Sequence, residues 1–531
     1  MSHIIRKYPN YQGGFIWDFV DQAIIWPSKV PGNDHIFAFG GDFNEYDASD
    51  GSFNCNGVIA ADRTYHPHSY EVRYQYRNIL SSLSGGSAPL TNLERPVKIS
   101  IHNENFFKDL SQYRLQWTVM AEGESVATGV VENLSVAPGE TASVSLGLPE
   151  INAPGKDIFL NLSYILKEKD GLLPAGYEVA YDQIKLREGD GYSFKPGSAA
   201  VAGSPLIWDG DHYKQVFSGV FSYPGVGSER IGEWKATFDW KTGFLSSYTL
   251  NGKEMLSEPL TPEFYRAPVE NDMGARLYRE DRMGMWRYLD LEADDIRVTN
   301  LKGQGWLIQA TYKPIKDTAL VKMTYHVWND GSVECHEIME DAGGLEKLPD
   351  LFRFGMKMTM PGKYSTVDFY GKGPWENYSD RNSSAMVGHY TQSVNDQYHY
   401  GYVRPQESGT HTGMKWLRIL DSNGDGLEIS APKEFSASAL PFPINMLDCM
   451  ENGTPSRANK SNTQAGEPRH SLDLKGFAHE NDRENGQTYV NFDLVQMGVG
   501  GIDSWGRWPL EQYRIHAAPR DFHFILRPVM N

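Results

Sequence analysis

The residues best placed for chemistry follow an almost continuous apolar run near the start of the chain. Trp17, Asp18 and Asp21 stand at the end of that run, and the loop beyond it carries a Gly pair, an Asn-rich tip and Phe53. An indole offers a flat apolar face to a ligand, and carboxylates accept hydrogen bonds. Strand ends and the loops after them are where α/β barrels build their sites. The pattern therefore indicates a binding edge here.

The element that must position these residues is the apolar run itself, residues 14–23. Continuous rather than alternating apolar character predicts a strand buried on both faces, as in the parallel sheet of a barrel. We accordingly interpret residues 1–65 as the last strand and active-site loop of a barrel whose other strands are not in this sequence. An unpaired apolar strand of this kind exposes backbone donors and acceptors and favours association.

The rest of the chain has the texture of antiparallel β structure. Residues 66–190 contain short alternating runs punctuated by Gly, Pro and Asn, which predicts an immunoglobulin-like sandwich. Residues 191–208 are rich in Gly, Ser, Pro and Ala and predict a linker. Residues 209–531 continue the β pattern without a second such linker, which favours one large antiparallel sandwich. Asn251-Gly252 and residues 329–331 are hairpin signals within it.

Composition excludes several classes of protein. The formal net charge of −18 argues against nucleic acid and anionic membranes as partners. Three cysteines, far apart in sequence, argue against a disulfide framework or a structural zinc site. No apolar run reaches the roughly 20 residues that span a bilayer, and the first residues lack a signal-peptide core. A cytoplasmic location is the expectation, provisionally, since an upstream signal would be missing from this sequence.

Four further segments, in this order, carry a resemblance to a known family. They are FYRAPVENDMGAR (264–276), GKGPWENYSDR (371–381), PQESGTHTGMKW (405–416) and MGVGGIDSWG (497–506). Together with the opening run, they resemble the large bacterial β-galactosidases of glycoside hydrolase family 2 over essentially the whole chain. The resemblance implies a mainly β chain: a remnant of an α/β barrel, an immunoglobulin-like sandwich, and a large super-sandwich similar to galactose mutarotase.

The resemblance also implies which chemistry this chain lacks. The family hydrolyses β-galactosides with retention, which needs a nucleophilic carboxylate and an acid/base carboxylate about 5–5.5 Å apart. In the family both are glutamates on barrel strands that precede this segment, so we expect no catalytic glutamate here. Glu45, Glu270, Glu376 and Glu407 occur where the family uses neither, and we expect solvated or structural carboxylates. The isolated chain is therefore expected to be inactive.

What the resemblance leaves to this chain is the part of the site that holds the sugar. Trp17 matches the floor of the galactosyl pocket, and Trp505 matches an indole that stacks on the sugar at the entrance. Asn56 matches a residue that contacts both the sugar and a sodium ion, and Phe53 one that lends its carbonyl to that ion and moves. Gly274 matches the hinge of a loop that closes over the site. The family's magnesium ligands lie in the barrel, outside this sequence.

Two principal hypotheses follow, and both stay open at this point. In the first, the chain is the C-terminal part of a β-galactosidase that needs a barrel-bearing polypeptide, with a β-galactoside as substrate and a homo-oligomer as the whole enzyme. In the second, it is a non-catalytic carbohydrate-binding or structural β-protein. An epimerase is a weaker third idea, because no His and Glu acid/base pair can be placed. The preferred galactoside cannot be read from the sequence.

Overall fold

The structure is a computed structural model. It describes residues 2–43, 51–85, 96–191, 202–203, 207–208, 213–224, 229–448, 450–451, 454–455, 470–476, 486–503 and 505–531. Glu45, Cys449 and most of the predicted linker at 191–208 therefore lie outside the described residues. The chain divides into two compact units. The first comprises Met1–Phe15, Ser69–Ser193 and Ser383–His389, and the second comprises Ile16–His68, Phe194–Asn382 and Tyr390–Asn531.

The opening segment contains little regular structure. Its elements are α1 (Ser2–Lys7), β1 (Ile24–Pro27), β2 (His35–Ala38) and α2 (Pro67–Gln75). β1 and β2 form a two-stranded antiparallel hairpin with Ile24 opposite Ala38. Phe37 and Phe39 are buried in a small apolar cluster with Ala60, so this hairpin is anchored on one side.

The strand predicted over residues 14–23 is not formed. Its one ladder contact is an isolated parallel bridge between Val20 and Ile59, and Phe15, Trp17 and Phe19 are exposed. The physical reason is that a strand buried on both faces needs a neighbour on each side. The described residues supply only the short segment around Ile59. The apolar side chains therefore remain at the surface.

The first unit contains the predicted immunoglobulin-like sandwich. Its strands are β3 (Ile79–Leu83), β4 (Val97–Asn103), β5 (Tyr113–Ala121), β6 (Glu124–Val131), β7 (Thr141–Leu146), β8 (Ile158–Leu166) and β9 (Glu178–Arg187). They form a three-stranded sheet, β3-β4-β7, and a four-stranded sheet, β6-β5-β8-β9. β5 alternates strictly between buried and half-buried residues, because every second side chain points into the core. That core is continuous from Ile79 to Leu186.

The second unit is built on two larger antiparallel sheets. The smaller sheet contains β10 (Ala202–Gly203), β11 (Ile207–Trp208), β12 (Tyr213–Pro224), β13 (Glu229–Asp239), β14 (Leu245–Leu250) and β15 (Lys253–Glu254). The larger contains β16 (Glu258–Glu263), β17 (Asp295–Asn300), β18 (Trp306–Ile315), β19 (Ala319–Val327), β20 (Val333–Asp341), β21 (Arg353–Pro361), β22 (Thr366–Gly373), β23 (Met386–Ser393), β24 (His411–Leu420), β25 (Gly426–Leu440), β28 (Gln487–Gln496) and β29 (Arg520–Val529). Outside both lie α3 (Glu270–Gly274), α4 (Val394–Gln397), α5 (Ile444–Leu447), β26 (Met450–Glu451) and β27 (Thr454–Pro455).

The order of the strands brings distant parts of the sequence together. The larger sheet runs β16-β21-β28-β25-β29-β20-β19-β18-β17, and β24 joins β25 to β22. One apolar core, from Phe217 to Leu526, packs on both sheets. The predicted large antiparallel sandwich is therefore what the chain forms, and the mainly β fold class is confirmed.

Both predicted hairpins of this unit are confirmed. β14 and β15 pair Leu250 with Lys253 across Asn251-Gly252, whose φ angles are 50° and 74°. Positive φ at both central residues is what a two-residue hairpin turn requires. β19 and β20 pair Val327 with Val333 around the second turn. Among the described residues, no helix has the length and apolar character needed to cross a membrane.

Candidate functional site

Two short segments lie side by side at the predicted binding edge. The Asp18 amide donates to the Asn56 carbonyl at 2.9 Å, and the Val58 amide donates back to the Asp18 carbonyl at 3.0 Å. The backbone just after Trp17 is thereby fixed against the segment that carries Asn56. The Asp18 carboxylate is exposed and accepts from Gln22 and from a backbone amide, which lowers the pKa of Asp18 below its ordinary value. Asp18 is therefore ionised at neutral pH.

Gly57 is the point at which this pair of segments is clamped. Its amide donates to Asp21 Oδ1 at 2.6 Å, and its carbonyl accepts from His68 Nε2 at 2.9 Å. A Cβ on Gly57 would lie 2.1 Å from the Asp21 backbone nitrogen, so a side chain has no space there. Burial, with positive charge nearby, lowers the pKa of His68 to about 3, so its ring is neutral. These two hydrogen bonds hold the backbone of Gly57 in place, and with it the backbone of the preceding residue, Asn56.

Asn56 and Phe53, the two residues predicted to hold sodium, contact each other. Phe53 lies in a single 3₁₀ turn, Gly51–Asn54, and its main-chain carbonyl accepts a hydrogen bond from the Asn56 side-chain amide. A carbonyl and an amide are neutral oxygen donors, which are the ligands that hard cations take. In chemical type, then, these two residues fit the predicted ion. Sodium itself remains a prediction.

Trp505, which lies near the end of the sequence, contacts Phe53. Its ring lies 5.5 Å from the Phe53 ring, centroid to centroid, with the planes tilted by 48°. The Trp505 side chain is 73% exposed and that of Trp17 is 79% exposed, so both present indole faces to solvent. Asn56, Phe53 and Trp505 thus form successive contacts, and the residue after Trp17 is bonded to Asn56 through its backbone.

Gly274 lies at the end of α3, close to the loop that carries Trp505. A Cβ built on Gly506 would lie 3.8 Å from the Gly274 carbonyl oxygen. The residue in this stretch with a left-handed backbone is Arg276, at φ 56°, rather than Gly274. The conformational freedom predicted at Gly274 is therefore not used in this conformation. Its role as a hinge stays a prediction.

Hydrogen bonds hold the Trp505 loop and the segment around α3 together. Asn271 Nδ2 donates to the Val499 carbonyl at 3.0 Å, and the Asp380 carboxylate accepts from the amides of Val499 and Gly500 at 3.1 and 2.8 Å. Ser52, next to Phe53, donates to Glu270 of α3 at 2.6 Å. The three loops that carry the predicted residues are thus bonded to one another.

The carboxylates expected to be structural are fully engaged by donors. Glu376 is buried and accepts from Tyr402 at 2.5 Å, Arg381 at 2.8 Å, Ser408 at 2.8 Å and the Gly409 amide at 2.7 Å. Burial alone would raise its pKa, but Arg381 and the other donors lower the pKa of Glu376 to about 2. A carboxylate so occupied has no lone pair directed at a substrate. This geometry favours a structural role.

Glu270 and Glu407, which were also expected to be structural, face hydrogen-bond donors as well. Glu407 is buried and faces Arg353 at 3.4 Å and Gln496 at 3.0 Å. Glu270 accepts from Ser52 and lies 3.5 Å from Arg404. Neither arrangement provides the paired, substrate-facing carboxylates that retaining hydrolysis needs.

Sequence reasoning missed a hydrogen-bonded chain of Asp21, His66 and His399 behind this edge. His66 Nε2 lies 2.7 Å from Asp21 Oδ2, and His66 Nδ1 lies 2.9 Å from His399 Nε2. The His66 ring also stacks on Tyr402, at 5.4 Å between centroids. Because His66 and His399 are 333 residues apart, no local spacing in the sequence signals their contact.

Comparison with known proteins gives the chain its relatives. Three protein families match: "Beta galactosidase small chain" over residues 230–526, "Beta-galactosidase, domain 4" over 99–187, and "Glycosyl hydrolases family 2, TIM barrel domain" over 1–81. The β-galactosidases of Halalkalibacterium halodurans and Priestia megaterium are 30% and 29% identical, over 99% and 97% of this chain. The matched regions are 46% and 44% of those proteins. The chain thus spans about half the length of these curated relatives.

A solved structure gives a weaker likeness. The galactose 1-epimerase of Lactobacillus acidophilus aligns over 59% of this chain and 99% of its own, with 8% identity and a TM-score of 0.27. A TM-score this low supports no argument, so the mutarotase-like comparison of the large sandwich rests on the sequence resemblance.

Proposed function

The chain belongs to the beta galactosidase small chain family, and from that premise we propose that it forms the sugar-holding side of a retaining β-galactosidase. The proposal gives the nucleophile and the acid/base to a barrel-bearing polypeptide, because neither glutamate has a counterpart among these 531 residues. One observation carries it. The backbone just after Trp17 is hydrogen-bonded to Asn56, the Asn56 side chain bonds the Phe53 carbonyl, and the Phe53 ring contacts the ring of Trp505.

Each of these residues has a distinct task in the proposed site. Trp17 offers its indole face to the C–H side of the galactosyl ring, beneath the reacting carbon. Asn56 is positioned by the Gly57 clamp to bond a sugar hydroxyl. Trp505 covers the entrance, where a sugar binds first. In this arrangement the chain fixes the glycoside while the barrel carboxylates perform the displacement.

A sodium ion is part of the proposal. The Phe53 carbonyl and the Asn56 amide oxygen would be two of its ligands, which requires the Asn56 amide to turn its oxygen towards the ion. A bound cation would supply positive charge that orients a sugar hydroxyl. Magnesium is assigned to the barrel-bearing polypeptide. A homo-oligomer and a cytoplasmic location complete the proposal for the whole enzyme.

The exposed apolar side chains at 15–19 support the need for a second polypeptide. Phe15, Ile16, Trp17 and Phe19 follow one another closely and are all exposed. Exposed apolar patches of this kind mark interaction surfaces. A barrel strand lying along residues 14–23 would cover them and supply the missing ladder partners. We therefore assign this face to the barrel-bearing polypeptide.

Assembly followed by activity tests the proposal. The chain is mixed with its barrel-bearing polypeptide, and hydrolysis of an aryl β-galactoside is followed with the wild-type chain and with Trp17→Ala. We expect turnover in the mixture that falls strongly in the variant. Equal turnover by the two mixtures would remove Trp17 from the site.

A second function is favoured by the exposure of the two indoles. If Trp17 and Trp505 are sugar platforms without chemistry, the isolated chain binds galactose-terminated oligosaccharides by itself. Calorimetric titration of the isolated chain distinguishes the two. Specific binding lost in both Trp→Ala variants, without activity in any mixture, would favour the carbohydrate-binding protein.

A further inference from the structure

A cluster of metal-ligating side chains lies on the larger sheet, on residues that play no part in the proposed site. Glu334 and His336 are two residues apart on β20, so they point to the same face of the sheet. His523 on β29 is directly opposite His336 in the strand register. One ligand atom from each of the three side chains lies within 4.8 Å of the other two.

The three side chains already contact one another. Glu334 Oε1 lies 2.8 Å from His523 Nε2, and the His336 and His523 rings stack with centroids 4.2 Å apart and planes 11° from parallel. All three are partly exposed, so an ion and its water ligands could reach them from solvent. Two imidazoles and a carboxylate on neighbouring strands are a ligand set that suits zinc.

The surroundings of the cluster support ligation. His336 Nδ1 lies 3.1 Å from Asp521 Oδ1, and Glu334 Oε2 accepts a hydrogen bond from Trp328 Nε1 at 3.0 Å. Metal-bound histidines usually donate their second ring nitrogen to a carboxylate, which fixes the tautomer and the ring orientation. Asp521 stands in that position towards His336. Trp328 holds the far oxygen of Glu334 and leaves the near one directed at His523.

We propose that Glu334, His336 and His523 bind a transition-metal dication of the zinc class. In the tetrahedral geometry of zinc, ligand atoms about 2.0–2.1 Å from the ion lie about 3.4 Å from one another. Ligand atoms that now lie within 4.8 Å of one another therefore have to approach by up to about 1.4 Å, through side-chain rotation that unstacks the two rings. Water completes the coordination on the solvent side.

The consequence of binding would be a cross-link between two strands. Glu334 and His523 are 189 residues apart in the chain, and an ion held by both joins β20 to β29. An ion that binds the folded chain and not the unfolded one raises the stability of the fold by mass action. The site is therefore expected to be stabilising. It does not depend on the proposed function.

Zinc titration of the full, tag-free chain tests the proposal. Binding is measured by calorimetry, and a rise in the thermal unfolding midpoint with added Zn²⁺ is followed in parallel. Since the Trp328 indole bonds Glu334, quenching of tryptophan fluorescence by Ni²⁺ gives a local readout. We expect the wild type to bind one zinc at this cluster. The affinity for zinc should be weaker than that of the wild type by about tenfold or more in His336→Ala and in His523→Ala.

A matched control is His516→Ala. His516 is an exposed histidine that also contacts two carboxylates, Asp350 at 2.9 Å and Glu511 at 2.6 Å. The control should bind zinc as the wild type does, and circular dichroism without zinc should show that all variants are folded. Absence of zinc binding by the wild type would overturn the proposal. So would affinity unchanged in His336→Ala and His523→Ala, or lost in His516→Ala.

Discussion

At the scale of single residues, the two exposed indoles are assigned different tasks. Trp17→Ala in the assembled enzyme should lower kcat/KM by about a hundredfold, chiefly through kcat, because a floor residue contacts the reacting sugar in the transition state. Trp505→Ala should raise KM by about tenfold with little change in kcat, because an entrance residue contributes ground-state binding. Steady-state kinetics on an aryl β-galactoside separate the two. Equal losses of kcat in both variants would contradict the assignment.

Gly57→Ala tests the clamp behind Asn56. The added methyl would meet the backbone nitrogen of Asp21 at 2.1 Å, so the two segments must move apart. We expect a loss of about 1–3 kcal/mol in the stability of this unit and a raised KM in the assembled enzyme. Gly147→Ala is the control, because a Cβ there meets no atom within 4 Å. A Gly57→Ala protein as stable as the control would show that the clamp is loose.

Two half-buried histidines that are held neutral, His68 and His399, give the fold a defined response to acid. Burial lowers the pKa values of His68 and His399 to about 3, from an ordinary 6.5. Between pH 6.5 and 3 the unfolded chain binds protons that the folded chain does not, so stability falls as the pH falls through this window. At pH 5 each histidine accounts for a loss of about 2 kcal/mol at most.

Denaturant unfolding at pH 7 and pH 5 measures that loss. Replacing His68 by Gln keeps a side chain able to donate to the Gly57 carbonyl but removes the titration, so the difference between the two pH values should shrink. His102→Gln is the control, since His102 bonds Thr141 at the surface of the other unit. If the pH dependence of the unfolding free energy is unchanged in His68→Gln, His68 is not held neutral in the folded chain.

Whether the sequence alone identifies a site residue depends on how far along the chain its contact partners lie. Trp17 stands out by itself, as an aromatic residue at the end of an apolar run. Phe53 and Asn56 are indistinguishable from turn residues without the family resemblance. The contact of His66 with His399 was unpredictable, because the two histidines come from segments with no shared periodicity. Only folding brings His66 Nδ1 to 2.9 Å from His399 Nε2.

At the scale of elements, local signals were reliable where the element is local. Asn251-Gly252 specifies a two-residue turn through its own φ preferences, and the hairpin forms. The alternation along β5 specifies which face is buried, and the sandwich forms. Residues 14–23 have an equally strong strand pattern but remain irregular, because a central strand is specified by its neighbours. Propensity cannot replace an absent ladder partner.

Hydrogen exchange should resolve this difference along the opening segment. The Asp18, Asp21 and Ile59 amides donate to backbone carbonyls, whereas the described residues offer no such acceptor to the amides of residues 14–17. In the isolated chain we expect fast exchange at 14–17 and slower exchange at Asp18, Asp21 and Ile59, and at the buried residues 36–39. Addition of the barrel-bearing polypeptide should slow exchange at 14–17. Protection there in a verified monomer would contradict the unpaired strand.

At the scale of the whole molecule, the proposed function divides one active site between this chain and the catalytic barrel. In that proposal this chain contributes the floor, the entrance and the sodium ligands, and hydrogen bonds link the loop of Phe53, α3 and the loop of Trp505. The catalytic barrel would contribute the two glutamates. This chain would supply binding energy and orientation to the reaction. These alone do not cleave a glycosidic bond, because cleavage needs a nucleophile and an acid.

The most direct test is turnover of an aryl β-galactoside by the purified chain, measured alone and after addition of the barrel-bearing polypeptide. We predict no hydrolysis above background by the chain alone, and hydrolysis by the mixture that depends on Trp17. Turnover by the chain alone, abolished by Glu270→Gln, Glu376→Gln or Glu407→Gln in a variant that still folds, would reveal a catalytic carboxylate within these residues and contradict the account.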